Sequence, residues 1–412
     1  METATLNDRD LMQLALSLED PWTVSSVEFN KPEGRLDLTV AFPKGSRFPC
    51  PDCGMLDQGV YDTTEREWRH LDFFQHQAYL HAKVPRISCT KCGVKTVSVP
   101  WARPKSGFTL LFEALVLQLA QHMAIEPLAA IVHAHSDSIW RILDHYVEKA
   151  RQAQDLTEVS TLGIDETSRR KGHQYVTTFC DLEGRRVLFV TKGKDSETVK
   201  TFVEDFEARR ADPKQITEVC SDMSAAFIKG IADNLPEAEH TFDRFHVMAL
   251  VNDAVDEVRR KEAKQTKLKD ILKNSRYVFL KNEENLTVKQ TAKLESLRDL
   301  DIKTVRAYHI KVALQRLWEY KRLGFAEAYL KKWYFWATHS RIGPIKEVAK
   351  TIKKHWDGIL RFIKSRVTNG VTEGINCKIK EAAKRAYGFK TFERYRTIIY
   401  LVAGRLSLPT PC

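Results

Sequence analysis

The chain has 412 residues, 43% hydrophobic and 29% charged. That composition excludes a disordered or fibrous protein and has room for roughly two to four domains. Lysine and arginine number 65 against 54 aspartates and glutamates, a net charge of +11, which favours a polyanionic partner, nucleic acid before membrane. The most apolar window, Ala114 to Val132, is broken by Gln118, Gln121, His122, Glu126 and Pro127, so no membrane span is expected.

The opening residues METATLNDRDLMQ lack the basic segment and apolar run of a secretory signal. A cytoplasmic setting is therefore expected, with the eight cysteines reduced and serving as metal ligands or core residues. Leu6 to Leu18 has the spacing of a short helix. Thr23 to Phe29 and Gly34 to Phe42 read as strands about a turn at Lys31-Pro32-Glu33-Gly34.

Two knuckles follow, Cys50-Pro-Asp-Cys53-Gly and Cys89-Thr-Lys-Cys92-Gly. Each offers two thiolates to one tetrahedral ion, and the glycine permits a tight turn. A structural zinc bound by Cys50, Cys53, Cys89 and Cys92 is expected. The spacer alternates as strands do over Gln77 to Val84 and Arg86 to Cys89. His70, His76 and His81 lie in it and are expected at the surface, since four thiolates already close the site. Cys180 and Cys220 sit in apolar runs and read as core thiols; Cys377 and Cys412 have no assigned role.

Residues 108–150 switch to helical periodicity, with Phe108, Leu111, Phe112, Leu115, Leu119 and Met123 on one stripe. A second helix is expected from near Pro127. A third is expected after Ser136, burying Ile139, Leu143 and Val147. Three short helices can form a helix-turn-helix unit whose last helix enters the major groove. Ser138, Arg141, Asp144 and His145 would then lie on its exposed face, with Ser138, Arg141 and His145 as DNA contacts. An ordinary helical connector is the other reading.

From about residue 158 the pattern is βββαβαβ: strands at Val159 to Glu166, His173 to Leu182 and Arg186 to Thr191, a helix at Ser196 to Arg210, a strand at Ile216 to Ser221, a helix at Met223 to Asn234, and a strand at His240 to His246. Asp165 and Asp222 end the first and fourth strands, which are neighbours in such a sheet. Two carboxylates so close need a cation, which recruits magnesium or manganese. Glu373, near the start of a later helix, is the natural third ligand for a two-metal phosphoryl-transfer site. Glu166 faces the other side of its strand and is expected to matter less. A helical, polar stretch from Val247 to about Gly343 contains Trp318, Trp333, Tyr334 and Trp336, for core packing or base stacking. Ile345 to Gly404 is helical again. Residues 301–412 hold 24 Lys/Arg and 8 Asp/Glu, and Lys378, Lys380, Lys384 and Arg385 on the helix after Glu373 are expected to meet phosphates.

In order along the chain stand the two knuckles, Gly163-Ile-Asp-Glu166, Ser221-Asp-Met-Ser224, Asp243-Arg-Phe-His246-Val, and Thr368-Asn-Gly-Val-Thr-Glu-Gly-Ile-Asn376 followed by Ala386-Tyr-Gly-Phe389. Together they resemble bacterial insertion-sequence transposases of the ISL-three type, with an RNase H-like DDE catalytic domain. The resemblance implies Asp165, Asp222 and Glu373 as the metal-binding catalytic triad. It also suggests that Asp243 and His246 support the active site, beside the plainer reading that they anchor the fifth strand to the next helix.

The expected fold is multidomain α/β. A zinc ribbon occupies 1–105, a helix-turn-helix unit 106–155, and an RNase H-like mixed sheet 156–246 with 346–405. An α-helical insertion fills 247–345. The expected activity is magnesium-dependent strand cleavage and strand transfer, on terminal inverted repeats bound by a homodimer at the bacterial nucleoid. No covalent protein–DNA intermediate is expected. Another RNase H-like nuclease, such as a resolvase, and a non-catalytic DNA-binding regulator are the rival readings. Inverted repeats flanking the reading frame would favour transposition over both.

Overall fold

The computed structural model describes residues 7–170, 174–265 and 267–410; Leu6, His173 and Cys412 lie outside them. The chain forms two compact units. The first holds residues 1–151 with 385–387 and 406–412, the second 152–384 with 388–405.

The first unit opens with α1 (Asp8–Ala15), capped by the Asn7 side chain, which accepts from the Asp10 N–H at 2.9 Å. Its six-stranded sheet contains β1 (Thr23–Asn30), β2 (Arg35–Ala41), β3 (Arg47–Phe48), β4 (Gln58–Arg69), β5 (Gln77–Cys89) and β6 (Gly93–Thr96). The order is β1-β2-β5-β4-β3, with β6 also on β5. Leu36, Leu38 and Val40 of β2 and Ala78, Leu80, Ala82 and Val84 of β5 alternate into the core. There Trp22 and Trp101 meet edge to face at 5.0 Å, and Trp68 and Trp101 at 5.5 Å. The sequence offers little sign of β4, because its first ten residues are largely exposed; pairing to β5, and at its start to β3, holds them. β5 also runs through Pro85 without a break. The Pro85 carbonyl accepts from the Val97 N–H at 2.9 Å, and the missing N–H is not needed for that bond.

The trihelical part comprises α2 (Leu110–Ala120), α3 (Ile125–Ile131) and α4 (Ser136–Gln152). Helix α4 buries Ile139, Leu143 and Val147 as expected, and starts at Ser136 itself. In α2 the buried side is Phe112, Glu113, Val116, Leu117 and Ala120, while Leu111, Leu115 and Leu119 are half-buried. A buried carboxylate turns the helix. Glu113 accepts from Arg103 Nε at 2.9 Å, Ser106 Oγ at 2.7 Å and Tyr146 OH at 2.8 Å, so it is fully served away from water. The bond to Tyr146 ties α2 to α4.

The second unit contains β7 (Thr161–Arg170), β8 (Gln174–Asp181), β9 (Arg186–Lys192), α5 (Glu197–Ala208), β10 (Glu218–Ser221), α6 (Ala225–Asn234) and β11 (Glu239–Phe242). The sheet order is β11-β10-β7-β8-β9. β7, β8 and β9 are antiparallel neighbours, while β10 is parallel to both β7 and β11. Phe179 of β8 stacks on Phe202 of α5 at 4.6 Å in a core with Leu162, Ile164, Val219 and Phe227. The last strand is shorter than the sequence suggests. It stops at Phe242, and His246 lies in the first turns of a helix.

That helix is α7 (Arg244–Glu262), followed by α8 (Arg276–Leu280), α9 (Val288–Arg298), α10 (Lys303–Gln315), α11 (Leu323–His339), α12 (Gly343–Lys354) and α13 (Trp356–Ser365). One apolar core runs through these helices, from Phe242 to Ile363. Trp333 is buried in it and donates Nε1–H to the Ile310 carbonyl at 2.8 Å. Tyr334 packs against Trp356, Trp318 packs against Phe362, and Trp336 remains exposed. The chain then returns to the sheet with α14 (Gly370–Arg385) and α15 (Phe392–Ala403), where Tyr400 OH accepts from the Val190 N–H of β9 at 3.0 Å.

Candidate active site and metal centre

The two knuckles come together because β5 runs directly into the second, while the first precedes β4, its hairpin partner. Gly54 and Gly93 take φ of +72° and +73°, a left-handed turn that a side chain would strain. The four sulfurs lie within 4.8 Å of one another, with Cys53 and Cys89 Sγ atoms 3.6 Å apart. A tetrahedron with Zn–S bonds of about 2.3 Å has edges of about 3.8 Å, so the cage has the right size. Backbone N–H groups of Cys92 and Lys91 hold the Cys89 thiol down to about 7. Cys92 is pushed up to about 12 by sharing protons with Cys53, by burial and by Cys50. Anionic sulfurs crowded in this way call for a cation.

The spacer histidines do not join the cage. His70 is not a surface residue: it is half-buried, its Nδ1 lies 2.9 Å from Thr109 Oγ1, and burial followed by the Arg69 charge lowers it to about 4. His76 meets Phe29 edge to face. His81 Nε2 lies 2.6 Å from Asp37 Oδ1 and 3.7 Å from Glu67 Oε2, a grouping with cation-binding atoms. Arg35 already supplies positive charge there, 2.7 Å from Asp37 and 2.5 Å from Glu67.

On α4, Arg141, Asp144 and His145 are exposed and Ser138 half-exposed. Arg141 Nη2 donates to Ser138 Oγ at 3.0 Å, which holds the guanidinium along the outer face.

In the second unit, the register of β10 on β7 pairs Cys220 with Gly163, and that of β11 on β10 pairs Phe242 with Ser221. Continuing both registers sets Asp165, Asp222 and Asp243 in one row across three adjacent strands. Open α/β sheets bind ligands beyond such carboxyl ends of parallel strands. Burial raises the pKa of Asp165, and the charges of Asp222 and Asp243 add to the rise; the Glu166 N–H and the His246 charge oppose it. Asp243 is buried and its pKa is likewise raised by burial, against bonding from the Phe245 N–H and the charge of His246. Its own N–H donates to the Ser221 carbonyl at 3.0 Å. Asp243 therefore joins strand to helix and also lies within the field of Asp165.

Glu373 is exposed in the first turn of α14. Its side chain shares a cavity wall with Asp243. Among the described residues, the groups that gather metal-binding atoms within 4.8 Å are the four cysteines and Asp37, Glu67 and His81; Asp165, Asp222 and Glu373 stand further apart. Helix α14 nevertheless meets Asp165 directly, because Asn376, one turn beyond Glu373, donates Nδ2–H to Asp165 Oδ2 at 2.6 Å. Asn369 Nδ2 donates to the Ile164 carbonyl at 3.1 Å. The sequence signal for Asn376 was spacing, three residues after Glu373 on the same helix.

Gly163 explains how α14 comes so close. A Cβ there would stand 2.6 Å from Thr372 Oγ1, 2.6 Å from Leu182 Cδ2 and 3.0 Å from Asn369 Oδ1. Glu166 is less remote than its side of the strand suggests. It is half-buried, and burial, then the Asp222 charge, lift its carboxyl to about 7, with Lys194 opposing.

Lys378, Lys380, Lys384 and Arg385 are all exposed on α14. Lys380 and Lys384 continue the stripe of Glu373, and Lys378 lies on the other flank. Arg385 donates to the His122 carbonyl, so part of its guanidinium is engaged within the protein.

Three family profiles match the chain. One described as "Transposase", of the DDE type in the ISL3 family, covers residues 162–399, more than half the chain. The helix-turn-helix domain of transposase family ISL3 matches 97–147. The zinc-finger of transposase IS204/IS1001/IS1096/IS1165 matches 46–92. The transposase for insertion sequence element IS1001 of Bordetella parapertussis is 28% identical over 394 residues, 94% of this chain and 96% of its own length. The transposase for insertion sequence element IS1557 of Mycobacterium tuberculosis is 28% identical over 352 residues, 79% of each chain. Among solved structures, a chain of the simian T-cell lymphotropic virus intasome in complex with PP2A regulatory subunit B56 gamma aligns with 45% of this chain and 69% of its own, at 14% identity and a TM-score of 0.17. With a zinc ribbon, a helix-turn-helix and a DDE domain matched in that order, the chain belongs to the ISL3 family of transposases.

Proposed function

We propose that this chain binds the terminal inverted repeats of its own insertion sequence and cleaves and joins DNA strands there with magnesium or manganese. The observation that carries this reading is the row of Asp165, Asp222 and Asp243 across β7, β10 and β11, with α14 bringing Glu373 and Asn376 to it. An all-oxygen donor set suits a hard divalent cation. Asn376 Oδ1 also fits such a setting: it is buried near Asp165 and has no hydrogen-bond partner. Asp165, Asp222 and Glu373 would hold two ions, which when bound would activate the attacking oxygen and stabilise the leaving one.

The protein's own part is positioning. Asn376 fixes Asp165 Oδ2, the strand register sets Asp222 beside Asp165, and burial raises the Asp165 carboxyl, a rise that a bound cation would oppose. Asp243 and His246 would support this arrangement from β11 and α7. Cys50, Cys53, Cys89 and Cys92 would bind one structural zinc, which stiffens the hairpin preceding the trihelical unit. Helix α4 would read the repeats through Ser138, Arg141 and His145, and Lys378, Lys380, Lys384 and Arg385 would meet phosphates beside the catalytic carboxylates. Two ends must be processed together, so a homodimer assembled on DNA in the bacterial cytoplasm is the proposed working form.

The test is cleavage of DNA carrying the candidate element ends, with and without magnesium. Asp165→Asn, Asp222→Asn and Glu373→Gln should each abolish cleavage while leaving end binding intact, and pairs of these changes should do little more than one. Parental-level cleavage by all three variants rejects the catalytic reading and favours a DNA-binding regulator.

A further inference from the structure

Where the sheet of the first unit meets the segment leading into α2 lies a cavity of about 230 Å³. Arg66 of β4 lines it, with Arg103 and Lys105 of the turn before α2, and among the described residues no acidic side chain does. Strand alternation accounts for this. Arg66 shares its face of β4 with Trp68, another wall residue, while Glu65 and Glu67 point to the other face. There Glu65 meets Lys83 at 3.5 Å and Glu67 meets Arg35 at 2.5 Å. Arg103 is neutralised by Glu113 at 2.9 Å. Arg66 and Lys105 are both exposed, so the mouth carries positive charge that no carboxylate on its wall offsets.

The turn itself is strained. The Ser106 N–H donates to the Arg103 carbonyl at 3.2 Å, Pro104 takes the second position, and Lys105 takes the third with φ of +64°. Left-handed backbone at that position favours glycine or asparagine, and a lysine there is uncommon. A glycine would close the same turn with less strain; what the lysine adds is its ammonium beside the cavity. The turn is also fixed to the helices. Glu113 of α2 accepts from Arg103 and Ser106 at 2.9 and 2.7 Å and from Tyr146 of α4 at 2.8 Å. The cavity wall therefore keeps a set position relative to α4.

Size and surface limit the ligand. Pockets that enclose a free small molecule span roughly 300–1,000 Å³, so this smaller one suits a single unit of a polymer. Val99 and Pro104 give it apolar surface beside the two cations, which is complementary to a deoxyribose and its phosphate.

We propose that this cavity clamps one backbone sugar-phosphate of the DNA held by the trihelical unit, with Arg66 and Lys105 on the phosphodiester oxygens, and so sets the register of α4 in the groove. Phosphate contacts position a protein on the duplex without reading its sequence. The proposal rests on the end-binding reading above.

The test is the salt dependence of duplex binding by the full chain. Arg66→Gln and Lys105→Gly should each lower the slope of log affinity against log salt by about 1, and the two together by about 2, equally on end DNA and on unrelated duplex of the same length. Glycine suits the turn, so the melting temperature of Lys105→Gly should not fall, which keeps loss of charge apart from loss of fold. Unchanged slopes in both variants, or a loss confined to end DNA, would overturn the proposal. Independently, one methylphosphonate, which removes a single phosphate charge, is moved along the end DNA. At one position it should weaken binding by the parent and leave binding by the double variant unaffected; the lack of any such position also overturns the proposal. Inorganic phosphate or thymidine monophosphate that stabilises the parent against heat at micromolar concentration, but not the double variant, would assign the cavity to a free ligand and overturn it too. If the parent does not prefer end DNA to unrelated duplex, it is the end-binding reading that fails, and the slopes still decide the cavity.

Discussion

Asn376 donates to Asp165 Oδ2 at 2.6 Å and so restricts how that carboxylate can turn. A side chain that orients a metal ligand is typically worth about 10–100-fold in activity or metal affinity. Asn376→Ala should therefore lower the cleavage rate by about that factor and raise the magnesium concentration for half-maximal rate, with the melting temperature nearly unchanged. A fall in rate at unchanged magnesium dependence would assign Asn376 to packing alone. A second residue-scale expectation concerns His240, whose Nε2 lies 2.7 Å from Ser221 Oγ. Burial, followed by the charges of Arg361 and His355, lowers it to about 4 from an ordinary 6.5. The unfolded chain then binds the proton first, so stability falls as pH drops through the window from about 6.5 to 4. Glu166, raised to about 7, acts with the opposite sign in the acid range. The comparison that isolates the imidazole is parent against His240→Gln: urea midpoints of the parent should fall more steeply across that window than those of the variant.

At the scale of elements, two close approaches decide how α13 and α14 meet the sheet. α14 reaches β7 because Gly163 has no side chain, and α13 reaches β11 because a Cβ on Gly358 would stand 2.5 Å from the Phe242 ring. Gly163→Ala should cost about 1–3 kcal/mol, the usual scale of overpacking. Since the displaced residues are Asn369 and Thr372 just before Glu373, cleavage should fall more than the stability loss explains. Urea denaturation and cleavage assays under conditions where the variant remains folded would read the two effects separately. The knuckles invite an equivalent test. Four thiolates brought together by the β4–β5 hairpin would turn zinc affinity into local folding energy. Elemental analysis should find one zinc per chain. Cys50→Ser should weaken end binding while leaving metal-dependent nicking by the carboxylates of the second unit. Zinc-free protein that still binds ends at parental affinity would remove the cysteines from that role.

For the whole molecule, the controlling quantity is the distribution of charge. The last 112 residues hold 24 Lys/Arg against 8 Asp/Glu, and the first 300 are net negative. Each phosphate neutralised releases counterions, so affinity for DNA should fall steeply with salt. Replacing Lys378, Lys380 and Lys384 together should reduce the slope of log affinity against log salt by up to about 3. An unchanged slope would place these side chains away from DNA.

Much of this protein was legible in the chain itself. The two CxxC-G knuckles, the alternation of β2 and β5, the buried stripe of α4 and the βββαβαβ succession all follow from local chemistry: ligand spacing, period-2 and period-3.6 burial, and turn residues. Asp165 and Asp222 stood out because each closes an apolar run, but only Asp222 follows the end of its strand, β10; β7 runs on past Asp165 to Arg170, held there by its pairing with β8. Other features depended on contacts distant in sequence. β4 carries almost no apolar pattern and exists because β5 supplies its hydrogen bonds. α2 turns its buried side toward Glu113 because Arg103, Ser106 and Tyr146 converge there. Strand β11 ends at Phe242 because Asp243 takes up the start of α7. The roles of Asn369 and Asn376 arise only once α14 lies against β7, and the reach of Asp222 to Glu166 only once β10 pairs with β7. A sequence fixes what each segment prefers to bury, but which polar atoms then meet is decided by packing between segments hundreds of residues apart.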